Sequence, residues 1–125
     1  MSERHNELYA ITLKFLDAFN RNDLDDVMSF FTDDAVYEEL QGKVNDGKDA
    51  IREAFVPQFE GKFGKMEFIE DDTFIDADAG KIMSGWDLHM ERDGAPVVVK
   101  GLDLLYFKGD KIVRKQTFVK QKDPL

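Results

Sequence analysis

Val97-Val98-Val99-Lys100-Gly101-Leu102-Asp103-Leu104-Leu105-Tyr106-Phe107 is the stretch on which the reading of this chain turns. Its β-branched and aromatic residues predict a strand, one that runs well past the usual length of about five or six residues. Apolar residues occupy nearly every position of both faces, so cover is expected on both sides. One carboxylate, Asp103, falls in phase with Val97, Val99, Leu105 and Phe107. An acid on a buried face is costly unless it is paired, protonated or needed for chemistry.

The stretches before it are helical first and extended later. Leu8, Ile11, Thr12, Phe15, Leu16 and Phe19 recur at helical spacing and predict an amphipathic first helix. Asn20-Arg21-Asn22-Asp23 breaks it with cap-type residues, and a shorter helix follows with Leu24, Val27, Met28 and Phe31 on one face. Thr32-Asp33-Asp34 is expected to end that helix, before a strand over Ala35–Leu40 and a turn at Gln41-Gly42 into a short return strand near Lys43–Asn45. A third helix carries Ile51, Ala54, Phe55 and Phe59 on its apolar face, with Pro57 expected to bend it or end it early. From Lys65 onward the period changes to two, and Asp71-Asp72 bounds or interrupts the first of these strands. Ile82, Ser84, Trp86, Leu88 and Met90 share one face of the next. Hairpin turns at Arg92-Asp93-Gly94 and Lys108-Gly109-Asp110 lead into and out of the opening strand, and the last strand spans Lys111–Lys120. The order predicts an α+β fold, with helices on one face of a curved, mixed or antiparallel sheet. The second apolar face of the long strand (Val98, Leu102, Leu104 and Tyr106) then needs a cover of its own, and a homodimer is expected.

Composition excludes several classes of function. A chain of 125 residues with 42% hydrophobic content is expected to be one domain, 1–125, with a single core. A formal net charge of −9 argues against nucleic-acid and anionic-membrane partners. Without cysteine there is no disulfide, thiolate nucleophile or cysteine metal site. The polar opening Met1–Glu7 shows no signal-peptide core, so a cytoplasmic protein is expected. Asp76-Ala77-Asp78-Ala79-Gly80 looks superficially like a calcium loop but lacks its glycine and flanking helices, and His5 and His89 are not at ligand spacing. Neither metal nor cofactor is expected.

Phe31-Thr32-Asp33-Asp34-Ala35, Gly47-Lys48-Asp49-Ala50-Ile51-Arg52-Glu53, Gly101-Leu102-Asp103 and the Gly109–Ile112 turn together resemble the nuclear transport factor 2-like superfamily. That superfamily includes the SnoaL-like proteins and the ketosteroid isomerases, and the resemblance spans roughly Leu8–Lys120. It implies a cone-shaped α+β barrel whose sheet is closed at one end by three helices from the N-terminal half, around a hydrophobic pocket. By resemblance to the isomerases, Glu39 stands at the general-base position and Asp103 at that of a protonated aspartate in the oxyanion hole. Phe15 and Phe55 stand where that family has tyrosines. For the epoxide hydrolases of the superfamily only Asp87 matches, since Gly85 and Thr117 occupy the other positions.

The candidate catalytic residues are therefore Glu39 and Asp103. Burial would raise the pKa of Asp103 and make it a neutral donor to an enolate. A bulge at Gly101 would instead turn it to solvent or onto a lysine. Glu39 is in phase with Ala35 and Tyr37, and Glu38 with Val36 and Leu40, so only one glutamate can face inward; both could equally belong to an acidic surface. Phe15, Phe19, Tyr37, Phe55, Phe59, Trp86, Leu88 and Met90 are the expected pocket residues, and their character points to a small hydrophobic molecule as partner. The expected function is small-ligand binding with cofactor-free proton transfer on a carbonyl compound. The alternative is a non-catalytic binding or dimerisation module of the same fold.

Overall fold

The computed structural model describes residues 2–123 as α1 (Glu3–Asn20), α2 (Leu24–Ser29), β1 (Phe31–Glu38), β2 (Val44–Asp46), α3 (Lys48–Phe59), β3 (Glu67–Asp76), β4 (Lys81–Arg92), β5 (Ala95–Lys108) and β6 (Lys111–Val119). The six strands form one sheet in the order β2-β1-β6-β5-β4-β3. Every neighbouring pair is antiparallel except β1 and β6, which run parallel. The expected α+β architecture is thus the one observed, with one correction: the sheet does not close into a barrel, and β2 and β3 remain its two edges.

Local chemistry explains the element ends. The Ser2 hydroxyl accepts from the His5 amide and caps α1, and the Asp23 carboxylate accepts from Asp26 and caps α2. Phe31, expected on α2, is the first residue of β1, because the Phe30 carbonyl is taken by the Ile112 amide at 2.7 Å and Phe31 pairs with Ile112. Pairing across the sheet overrides the helical spacing there. Pro57 sits in the last turn of α3, where few donors would follow it, and the helix ends two residues later at Phe59. The Asp71-Asp72 pair is the site of a register shift within β3 and does not end it. The Asn20 side chain clasps the edge strand at the far end of α1: its amide donates to the Phe68 carbonyl at 2.9 Å and its carbonyl accepts from the Phe68 amide at 2.7 Å.

The main core lies between the helices and the sheet, where Leu8, Phe15, Phe31, Ile51, Ile82 and Leu105 are fully or almost fully buried. A second cluster of Leu16, Trp86, Leu88 and Met90 lies further along β4. No register shift occurs at Gly101, which pairs regularly with Trp86 and Val119, so Asp103 keeps the phase of Leu105 and stays on the inner face. Among the described residues no helix is long and apolar enough to cross a membrane.

Candidate functional site

A cavity of about 270 Å³ opens between the inner face of the sheet and the helices. Leu16 and Phe19 reach it from α1, Phe55 and Gln58 from α3, and Trp86, Leu88 and Met90 from β4. These follow from the periods of their elements: residues three or four apart share a helix face, and alternate residues share a strand face. Of the expected pocket residues, Phe19, Tyr37, Phe55, Trp86, Leu88 and Met90 line the cavity. Phe15 and Phe59 do not. Phe15 is fully buried, edge-on to Phe19, Phe30 and Phe31 with ring centroids 5.1, 5.4 and 5.7 Å away. It stands one helical step (about 100°) from Leu16, so it faces the core when Leu16 faces the cavity. Phe59, at the end of α3, packs against Phe19 from the core side at 5.6 Å.

The polar end of the cavity is assembled across three strands. Ser84 on β4, Asp103 on β5 and Thr117 on β6 are consecutive partners across the sheet, and Lys115 lies two residues before Thr117 on the same face. Asp103 is 3% exposed and Lys115 4%. The Lys115 ammonium lies 3.1 Å from Asp103 Oδ1 and donates to Thr117 Oγ1 at 2.7 Å. The Thr117 hydroxyl in turn donates to Asp103 Oδ1 at 2.6 Å, and the Trp86 indole donates to Oδ2 at 3.2 Å. Three groups thus converge on the Asp103 carboxyl: the Lys115 ammonium, the Thr117 hydroxyl and the Trp86 indole. Asp103 is both in the cavity and paired with a buried lysine.

Lys115 is also held by aromatic rings. Its ammonium lies 4.3 Å from the centre of the Tyr37 ring and 5.5 Å from that of Phe55, within cation–π range. Burial alone pushes the Lys115 pKa down. The Asp103 carboxylate, the Tyr37 phenol and the Glu39 carboxylate together outweigh burial, and the pKa is raised above the ordinary lysine value. Lys115 is thus a protonated hydrogen-bond donor at neutral pH and not a free amine.

Glu39, expected as the base, does not line the cavity. It follows the last residue of β1, where its carboxylate accepts from the Asn45 amide at 2.9 Å and from Gln41 at 3.4 Å. The tight turn back into β2 holds it there, with the Glu39 amide bonded to the Lys43 carbonyl at 2.8 Å. Asp103 is the one carboxylate among the lining residues. Lys115 and Thr117 were absent from the expected catalytic set. The sequence offers only a faint signal for them, since the alternate face of β6, with Arg114 and Gln116, is equally polar.

The model of the SnoaL-like domain family matches residues 12–115, and the chain belongs to that family. Among solved structures it is similar to SalBIII, an epoxide hydrolase/cyclase-like enzyme of pyran ring formation in the polyether salinomycin, at 18% identity and TM-score 0.82, covering 94% of each chain. It is similar to Bal32a from a soil-derived mobile gene cassette at 15% identity and TM-score 0.82, covering 95% of this chain and 93% of the other. A protein with a ketosteroid isomerase-like fold from Catenulispora acidiphila DSM 44928, in complex with trimethylamine, is similar at 14% identity and TM-score 0.76, covering 86% and 83%. At such identities these structures share the fold. No curated protein matches the chain.

Proposed function

We propose that this protein binds a small, largely hydrophobic carbonyl compound in its cavity and moves a proton on it without a cofactor. The observation that carries this reading is the single carboxylate at the polar end of an apolar cavity, beside a protonated lysine. Asp103 takes a proton from the carbon next to the carbonyl. The electron pair moves onto the carbonyl oxygen, and the resulting enolate oxygen is held by the Lys115 N–H that is not directed to Asp103 or Thr117. Where the substrate has a carbon–carbon double bond beside that carbon, the electron pair returns from the oxygen through it as Asp103 delivers the same proton to its far carbon. The net reaction is then an isomerisation that shifts the double bond. Glu39, outside the cavity, adds a smaller negative charge to that of Asp103 in favour of protonated Lys115.

Isomerisation of an unconjugated ketosteroid by wild type, Asp103→Asn and Glu39→Gln tests these roles. Asp103→Asn is expected to lower kcat by about a hundredfold or more. Glu39→Gln is expected to stay within a few-fold of wild type. Equal background rates for all three proteins would remove the isomerase. The non-catalytic alternative has its own support, because the Asp103 carboxylate is already bonded to three protein groups. It predicts ligand binding with no turnover in any of the three.

The chain is also proposed to form a homodimer through the outer face of the sheet. By register Phe74, Met83 and Leu104 form one outward row, with Leu102 and Phe118 in the next. Phe74 is 68% exposed and Val98 59%, a broad apolar surface for a single chain. Light scattering at micromolar concentration is expected to give the mass of two chains, and Phe74→Lys with Val98→Lys the mass of one. A wild-type mass of one chain would end the proposal.

A further inference from the structure

The inner stripe of β4 runs through Ile82, Ser84, Trp86, Leu88 and Met90 and ends in a cation. Arg92 continues the same alternation, so its side chain leaves the sheet on the cavity side. It is exposed and is one of the residues lining the cavity, as are Gln58 and the 60% exposed Leu40. Arg4, Arg21, Arg52 and Arg114 each pair with a carboxylate. Arg92 has no ion-pair partner among the described residues, although the chain carries 26 acidic residues.

The cavity therefore has the opposite sign from the protein. Its charged lining residues are Arg92, Asp103 and Lys115, two cations and one anion, while the chain has a formal net charge of −9. Asp103 and Lys115 neutralise each other at the inner end. The charge left without a partner is that of Arg92.

We propose that the ligand carries an anionic oxygen group, such as a carboxylate, which Arg92 holds at the mouth while the apolar body lies along Trp86, Leu88 and Met90. This rests on the cavity reading above and adds the substrate class: an elongated hydrophobic keto acid in place of a neutral ketone. The guanidinium offers paired N–H donors that match the two oxygens of a carboxylate. Trp86, which donates to Asp103, and Arg92 are the first and last lining residues of β4, six residues apart and roughly 20 Å at about 3.3 Å per residue. Less the reach of the arginine side chain, that span requires a ligand longer than a single ring.

Trp86 is the one tryptophan of the chain and a cavity-lining residue, so its emission reports occupancy of this cavity and not of the outer face. The probes are biphenyl-4-carboxylate and biphenyl-4-carboxamide, titrated against wild type, Arg92→Gln and Arg92→Lys. Wild type is expected to bind the carboxylate about tenfold more tightly than the amide. Arg92→Gln should remove that preference by weakening the carboxylate alone, and Arg92→Lys should keep part of it. Equal binding of both probes by wild type, or a preference that survives Arg92→Gln, overturns the anionic ligand and leaves the cavity reading standing. If neither probe changes Trp86 emission, the cavity reading fails and this inference fails with it.

Discussion

Replacement of Lys115 by methionine is expected to cost about 3–5 kcal/mol of stability, the range for removing one partner of a buried ion pair. The loss is large because the Asp103 carboxylate would keep its burial and lose its counter-charge, with only the Thr117 hydroxyl and the Trp86 indole still donating to it. Methionine fills nearly the same volume, so little of the cost comes from a cavity. The double variant Lys115→Met with Asp103→Leu should recover most of it, since both charges then leave together. Urea unfolding of wild type, both single variants and the double variant closes the cycle. A cost for the double variant equal to the sum of the two single costs would show that the two charges do not depend on each other. The pH dependence has a definite sign. The Lys115 pKa is raised in the fold above its ordinary value of 10.5, so its contribution is fully present below that pH and is lost as pH rises through the folded-state value. The stability gap between wild type and Lys115→Met should therefore be constant from neutrality to about pH 10 and narrow only above it.

Gly101→Ala is the second substitution expected to act strongly. A Cβ at this position would stand 2.6 Å from the Phe118 carbonyl oxygen and 2.6 Å from the edge of the Trp86 ring. The carbonyl belongs to the β6 backbone and cannot yield without parting β5 from β6. The indole can yield only by swinging into the cavity and leaving Asp103 Oδ2. Overpacking of this kind costs about 1–3 kcal/mol, occasionally more, and the upper end is expected here because one of the clashing atoms is backbone. The same variant should lose binding of biphenyl-4-carboxylate, because the displaced ring occupies the ligand's space. A urea midpoint and a Trp86 emission maximum both equal to wild type would contradict this account.

Most of the frame could be read from the residues alone. The four-strand meander from β3 to β6 follows from period-two alternation and turn chemistry, and Asp103 was placed inward by its phase with Leu105 and Phe107. Phe31 was misplaced because its helical spacing from Val27 and Met28 is real, and only its pairing with Ile112 decides against it. The partner of Asp103 was harder still to foresee. A lysine on an alternating strand ordinarily marks the solvent side, and Lys115 lies between Arg114 and Gln116 with nothing local to set it apart. Its burial is imposed by Tyr37 and Phe55, which belong to the first half of the chain. Glu39 shows the reverse case. Its phase allowed it to face inward, but the strand ends one residue before it and the turn gives its carboxylate to Asn45.

The parallel contact of β1 with β6 places neighbouring walls of the cavity at opposite ends of the sequence. Tyr37 comes from β1, Lys115 and Thr117 from β6, Asp103 from β5 and Trp86 from β4. No contiguous segment contains the site, so no short signature can encode it, and several strands deliver groups to a shared interior. Chemistry built in this way can be exchanged one strand at a time while the frame persists. A family of this architecture is thus free to vary its reaction without changing its shape.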